Sequence, residues 1–176
     1  PLSLCRDRPD VLGGLYNLAQ RHGFPTPLLD WTRSPYVAAF FAFRGVPPST
    51  ENLKKSFARI FLFNCQAWSP NQTNQAYLIN TEPYVTILDL LPIANTRALP
   101  QQAVAMLTNL RNIEDYIKFI STRNKKNDSF LRAFDIPWSE RNNALNDLRS
   151  MGVTASSMFP GLDGICEDVR TRLFYE

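Results

Sequence analysis

The chain has 176 residues, 44% hydrophobic and 12% aromatic, so it is long and apolar enough to bury a core and is not disordered. Its net charge of +3 comes from dispersed lysines and arginines, which is weak support for nucleic-acid binding. Three separated cysteines and one histidine argue against a disulfide framework and a zinc site. We find no apolar run of membrane-spanning length and no signal peptide, and we expect a cytoplasmic protein without metal or membrane contact.

The first predicted elements surround a proline-containing segment. A helix is predicted over 8–22, where apolar residues recur at helical spacing and Gly23 suits the left-handed position beyond the end. Two prolines then exclude helix from 24–32, which must be extended or turning. The pair Ser34-Pro35 is typical of a helix N-cap and first helical position, so a short buried helix is predicted over 34–43.

The remainder of the chain alternates between strands and helices. Residues 58–64 are apolar with branched and aromatic side chains and predict a central strand, whereas the Asn- and Gln-rich stretch 65–83 predicts a surface insertion. Later predictions are strands over 85–91, 103–107 and 130–136, and helices over 113–120, 139–151 (capped by Ser139 and closed by Gly152) and 161–174. Strands separated by helices and long loops favour an α+β fold with a mixed or antiparallel sheet, flanking helices and one domain over 1–176.

The segment 28–35, Leu-Leu-Asp-Trp-Thr-Arg-Ser-Pro, combines polar groups with apolar neighbours. Because an acid among apolar residues needs partners, we expect Asp30 to be buried, either accepting backbone N–H bonds or orienting an arginine or a ligand. Trp31 is either a core residue or a stacking surface. Thr32 and Ser34 either cap the helix or offer hydroxyl and N–H groups to an anionic ligand.

This segment resembles the FRG domain family, whose pattern is similar to Q-H-x-G-L-P-T-R-L-L-D-W-T-x-S-P followed by small and aromatic residues. The matching positions are Gln20, Gly23, Pro25, Thr26, Leu28, Leu29, Asp30, Trp31, Thr32, Ser34, Pro35, Ala38, Phe41 and Ala42. Two weaker resemblances follow in the family's order, RALPQQAVA at 97–105 and SMFPGLDGI at 157–165. The three blocks together span 20–165.

The chain departs from the family pattern at three points. Pro27 replaces an arginine, and Arg21 stands where the family has histidine. The Phe-Arg-Gly element that gives the family its name is not found upstream of Gln20, and Phe43-Arg44-Gly45 follows the main motif, so we interpret it as a coincidence. On this interpretation, the first strands of the domain are missing from this chain or lie on another piece, which would be one of its partners.

The resemblance implies, by analogy alone, an ADP-ribosyltransferase-like fold and NAD as substrate. Such folds carry an early Arg-Gly, then hydroxyl residues leading into a short helix, then a Glu or Gln on a later strand. On this analogy, Gln101, Thr32 and Ser34 are the catalytic candidates, with Gln102 an alternative to Gln101. The candidates for contact with NAD are Gln20, Thr26, Asp30, Trp31, Arg97 and Gln102.

Two classes of function follow from this resemblance. The first is an ADP-ribosyltransferase or NAD glycohydrolase acting as a bacterial defence or toxin effector, with a nucleotide substrate and a protein or nucleic-acid acceptor. The second is a non-catalytic binding module of a larger bacterial or phage protein, in which 65–83 and the basic residues 123–126 contact the partner. An enzyme requires the matched polar residues to line one cleft, whereas in a scaffold the backbone satisfies them. The shared-site hypothesis predicts Gln101 within reach of the 30–34 loop.

Overall fold

The computed structural model describes residues 9–47, 56–71, 82–89, 95–123 and 129–174, and the secondary structure below refers to these. The helices are α1 (Pro9–Arg21), α2 (Pro35–Arg44), α3 (Cys65–Trp68), α4 (Ile113–Arg123), α5 (Arg141–Ser150), α6 (Ala155–Met158) and α7 (Leu162–Phe174). The strands are β1 (Leu28–Thr32), β2 (Phe57–Phe63), β3 (Val85–Leu88), β4 (Ala103–Thr108) and β5 (Leu131–Pro137). A three-stranded sheet has the order β1-β4-β3, and β2 pairs with β5.

The chain divides into two compact units, each with its own hydrophobic core. Unit 1 comprises Pro1–Trp31, Leu62–Ile93 and Ala103–Arg132. Unit 2 comprises Thr32–Phe61, Ala94–Gln102 and Ala133–Glu176.

The core of unit 1 is built around β4. This strand pairs antiparallel with β3, with Val85 opposite Thr108, and its residues from Val104 onward are buried. Trp68 is fully buried, packs against Phe130 at a ring-centroid distance of 5.2 Å, and donates its indole N–H to the Val85 carbonyl at 3.1 Å. The indole therefore buries a large apolar area without leaving its N–H unpaired.

The core of unit 2 is built around α2. Ser34 begins this helix, as its side-chain oxygen accepts a hydrogen bond from Val37 N at 3.3 Å, and Pro35 occupies the first turn. Val37 and Phe40 are buried against α5 and α6, and Phe43 is buried beside the loop residue Val46. A four-residue helix, α6, is held by a capping box in which Thr154 and Ser157 satisfy each other's backbone N–H groups.

Most predicted elements are confirmed, as is the α+β class: helices accompany two small antiparallel sheets. The prediction that the 58–64 strand is central in a sheet was wrong. Among the described residues, β2 pairs with β5 alone, so it has a strand on one side only. The prediction of a surface insertion over 65–83 was wrong for its first residues, because they form α3 and Trp68 of this helix is buried. Residues 72–81 of the predicted insertion lie outside the described residues. Ser139 does not cap α5: it lies in a 3-10 turn, Trp138–Glu140, and Glu140 takes the N-cap position without a side-chain bond.

Candidate functional site

The corner between β1 and α2 is held by hydroxyl groups that bond to the backbone. The Thr32 hydroxyl accepts a hydrogen bond from Ser34 N at 3.1 Å and donates one to the Gln101 carbonyl at 2.8 Å. Ser34 is buried and uses its side-chain oxygen as the N-cap of α2. Both hydroxyls therefore fix the path of the chain into the helix.

The turn that precedes β4 is fastened to this corner. Within the turn, Gln101 N donates to the Arg97 carbonyl at 3.1 Å and Gln102 N to the Leu99 carbonyl at 3.0 Å. The Gln102 carbonyl then accepts a hydrogen bond from Arg33 N at 3.1 Å. Gln102 is exposed and has a φ of 46°, the only positive φ at a non-glycine position among the described residues.

The turn is also fastened to the third motif block. The side-chain amide of Gln101 donates to the Met158 carbonyl at 2.9 Å, at the end of α6. The next residue, Phe159, has the Arg44 guanidinium 4.3 Å and the Arg97 guanidinium 5.2 Å from its ring centroid. Phe41 meets the same ring edge to face at 5.8 Å. Residues from all three matched blocks thus contact one another in unit 2.

Arg44 is held by a second partner besides Phe159. It forms a bidentate ion pair with Glu167 of α7, with N–O distances of 2.6 and 2.7 Å. The Arg44 hydrogen bonds are the main reason that the pKa of the Glu167 carboxyl is lowered, while partial burial acts in the opposite direction. The pKa of Arg44 is raised by the same pairing.

The remaining sequence-predicted site residues lie in unit 1. Gln20 of α1 donates from Nε2 to an Asp30 carboxylate oxygen at 3.4 Å and accepts a hydrogen bond from the Thr26 hydroxyl at 3.1 Å. Trp31 is half-buried and packs against Phe63 at 5.9 Å. The burial predicted for Asp30 was wrong: the residue lies in β1 but is exposed, and its carboxylate accepts the bond from Gln20 at the surface.

Five of the nine predicted residues are therefore grouped within unit 2, namely Thr32, Ser34, Arg97, Gln101 and Gln102. The prediction that Gln101 lies within reach of the 30–34 loop is confirmed by the bond from Thr32. Sequence reasoning missed the parts played by Arg44 and Phe159 in this cluster. The sequence did contain a signal for this contact: the third block has an aromatic residue, Phe159, and an aromatic face is a common partner of arginine.

The described residues contain no group of three or more His, Cys, Asp or Glu side chains placed to hold a metal ion. In the same parts of the chain, no helix combines the length and hydrophobicity needed to cross a bilayer. The cluster in unit 2 can offer backbone groups, an exposed amide at Gln102 and the guanidinium of Arg97.

Fold and cluster together define an α+β protein in which a strand-to-helix corner, a glutamine-containing turn and the end of α6 are joined by hydrogen bonds. The sequence profile of the FRG domain matches residues 5–51, which contain the first of these three blocks, so this part of the chain is similar to the FRG domain. Searches of curated proteins and of solved structures returned no match.

Proposed function

We propose that this chain binds NAD at the polar cluster of unit 2 and cleaves it in the manner of an ADP-ribosyltransferase-like enzyme. The observation that carries the proposal is the pair of bonds from the β1–α2 corner to the turn before β4: Thr32 Oγ1 to the Gln101 carbonyl and Arg33 N to the Gln102 carbonyl. This is the juxtaposition that the analogy requires, with hydroxyl residues before a short helix beside a glutamine before a later strand.

Gln102, rather than Gln101, is the residue we propose to hold the ribose of the nicotinamide nucleoside. The amide of Gln101 already donates to the Met158 carbonyl, whereas Gln102 is exposed and no hydrogen bond joins its side chain to the described residues. A left-handed backbone costs a non-glycine residue about 1–2 kcal/mol. Such strain tends to be kept at ligand-binding and catalytic positions, which supports a role for this side chain.

The chemistry assigned to this site is hydrolysis. The bond between C1′ of the ribose and the nicotinamide nitrogen breaks with its electron pair leaving on nicotinamide, and a water oxygen then bonds to C1′ and releases a proton to solvent. A glutamine cannot accept that proton, so its part is to orient a ribose hydroxyl. Arg97 supplies a positive charge for the pyrophosphate. Catalysis would rest on positioning and electrostatics, in a cytoplasmic toxin or defence protein.

A second candidate function is a non-catalytic binding module. It is favoured by the bonds of Thr32, Ser34 and Gln101, whose side chains all bond to backbone groups and so behave as scaffold. In that case the three motif blocks determine the fold, and the function lies in contacts with a partner.

The test measures nicotinamide release from NAD and the shift of melting temperature that NAD produces. Gln102→Gly removes the amide and suits a φ of 46°, so it tests the side chain without adding strain. Gln102→Asn keeps an amide and tolerates the same backbone, and Gln66→Ala changes an exposed glutamine in α3 of unit 1 as the control.

We expect release that is lost in Gln102→Gly and kept in Gln66→Ala. Release that survives in Gln102→Gly would overturn the assigned role. A protein that neither releases nicotinamide nor gains thermal stability with NAD would leave the binding module as the function.

A further inference from the structure

The last helix of unit 2, α7, has an exposed apolar face. Four large apolar side chains recur along this face at helical spacing, and each is between 42% and 79% exposed: Leu162, Ile165, Val169 and Leu173. The buried residues of the helix, Gly164 and Asp168, lie on its opposite side. Single exposed apolar residues are common on protein surfaces, whereas a continuous row of them along a helix indicates a contact surface.

The orientation of α7 is fixed by contacts on its other sides. A Cβ at Gly164 would collide with backbone atoms, so α6 and α7 lie in close contact there. Asp168 accepts a hydrogen bond from the Ser156 hydroxyl at 2.7 Å, and Glu167 is paired with Arg44 at 2.6 Å. Rotating the helix to bury the apolar row would break these contacts, so the row stays at the surface of unit 2.

Two opposite charges lie beside the apolar row. With about 3.6 residues per turn, Asp163 and Arg170 fall on the same flank of the row, and both residues are exposed. Their spacing along the sequence corresponds to a separation of about 10 Å along the helix axis. This flank therefore has a negative charge near the start of α7 and a positive charge nearer its end.

Such a face is complementary to itself when two copies of the helix run antiparallel. In a two-fold interface, a residue near one end of the contact meets a residue near the other end in the second copy. A single antiparallel arrangement, centred between residues 166 and 168, forms three kinds of pair: Asp163 with Arg170, Ile165 with Val169, and Leu162 with Leu173. A parallel arrangement would leave the two opposite charges about 10 Å apart along the axis.

We propose that the exposed face of α7 binds the same face of a second copy of this chain, with the two helices antiparallel and Asp163 of each copy paired with Arg170 of the other. A helix of 13 residues is about 20 Å long, so this contact lies at the low end of interface sizes, below about 1,200 Å². The dimer should therefore dissociate on dilution. The proposal is independent of the function proposed above.

The experiment is sedimentation velocity of the whole chain over a wide range of protein concentration. Asp163→Lys and Arg170→Glu each place like charges opposite each other in the dimer, whereas an equal mixture of the two variants restores both opposite pairs in a mixed dimer. Glu114→Lys is the matched control, because Glu114 is also an exposed acid in the first turn of a helix, α4 of unit 1. Thermal unfolding of each variant checks that it is folded.

Cys166 provides a test of the arrangement of the two helices. It is exposed and lies beside the centre of the antiparallel pairing, so the thiols of the two copies should approach each other. A short bismaleimide is expected to join the two copies, and Cys166→Ser should abolish this product while Cys65→Ser should preserve it. A cross-linked dimer that persists in Cys166→Ser would contradict the antiparallel arrangement.

We expect a monomer–dimer equilibrium that Asp163→Lys and Arg170→Glu each weaken by at least fivefold, and that returns when the two variants are mixed. Glu114→Lys should leave the equilibrium unchanged. A protein that is monomeric at every concentration would overturn the proposal and leave the apolar row to a different partner. A dimer that Asp163→Lys does not weaken, or that mixing does not restore, would overturn the assigned contact. None of these outcomes depends on NAD cleavage.

Discussion

The side-chain amide of Gln101 donates a hydrogen bond to the backbone carbonyl of Met158 at 2.9 Å, joining the turn before β4 to the end of α6. The backbone carbonyl of the same residue accepts the Thr32 hydroxyl. One glutamine thus connects segments that are 69 and 57 residues away in sequence. Gln101 is best understood as a structural residue of unit 2, and for this reason the proposed contact with the ribose is assigned to Gln102.

Replacing Gln101 with Ala is expected to lower the free energy of unfolding by about 1–3 kcal/mol, because the part-buried Met158 carbonyl loses its donor. Urea unfolding followed by circular dichroism measures this loss. Gln66→Ala, at an exposed glutamine, should change the free energy by less than about 0.5 kcal/mol. Equal stabilities of the two variants would show that the Gln101 amide does not support the fold.

Gln102→Gly should raise the free energy of unfolding by up to about 1 kcal/mol, or leave it unchanged. Glycine adopts a φ of 46° without a steric penalty, although it also increases the entropy of the unfolded chain. Differential scanning calorimetry gives the comparison. A clear loss of stability would mean that the Gln102 side chain makes contacts that help to hold the turn.

Two substitutions in β1 separate exposed from buried positions. Leu28 is 4% exposed in the core of unit 1, so Leu28→Ala should cost about 2–5 kcal/mol. Asp30 is exposed, so Asp30→Ala should change the free energy of unfolding by less than about 0.5 kcal/mol. Chemical denaturation of both variants tests this pair. A loss at Asp30 as large as that at Leu28 would contradict the exposed placement of the carboxylate.

At Gly164 in α7, an added side chain would collide with backbone atoms. A Cβ built there would lie 2.7 Å from the Ala155 carbonyl oxygen and closer still to the Phe159 carbonyl oxygen, so α6 and α7 would have to separate. Gly164→Ala is expected to destabilise the protein by about 1–3 kcal/mol or more. Gly14→Ala is the matched control, because no atom beyond the neighbouring backbone of its own helix lies within 4 Å of the added methyl group, and alanine favours helix. In thermal unfolding, Gly164→Ala should have a lower melting temperature than the parent protein and Gly14→Ala a higher one.

The Arg44–Glu167 pair makes stability depend on pH. Because the pKa of Glu167 in the folded protein lies below its ordinary value of 4.5, the unfolded chain binds its proton more readily. The contribution is complete above the ordinary pKa and is lost as pH falls through the folded pKa. Arg44 is 40% exposed, so the effect should be at most about 1 kcal/mol. Glu167→Gln should reduce the difference in unfolding free energy between pH 6 and pH 3, measured by urea unfolding at both pH values, and an unchanged difference would contradict this contribution of the pair.

Local signals in the sequence predicted the elements that depend on local chemistry. Ser34-Pro35 correctly indicated the start of α2, because N-capping is decided within one helical turn. Burial was harder to predict. Trp68 follows polar residues, and its partners Phe130 and Tyr116 come from distant segments, so nothing adjacent to it in sequence indicated a core position. The four-residue helix α6 was missed because it is too short for a periodic pattern, although Thr154 and Ser157 have the spacing of its capping box.

The shared-site prediction was also decided by tertiary structure. The order of the three motif blocks indicated that they lie close together, and the bonds from Thr32 to Gln101 and from Gln101 to Met158 show this proximity, whereas a shared functional site stays a prediction. The sequence could not predict whether Gln101 or Gln102 uses its side chain in a hydrogen bond within the fold. The Gln101 amide bonds to the backbone carbonyl of Met158, a partner that is distant in sequence. In the same way, the exposure of Asp30 could not be predicted, because burial along β1 does not alternate: Leu28 is buried, whereas Leu29 and Asp30 are both exposed.

The packing of α2 limits how this protein can be divided into fragments. The family match covers residues 5–51, yet Val37 and Phe40 are buried against Leu148, Ala155 and Met158, about a hundred residues later in the chain. A recombinant fragment cut to the matched segment would display these apolar side chains to solvent and invite aggregation. Expression boundaries for this protein should therefore extend through α7, even though the recognisable motif ends long before it.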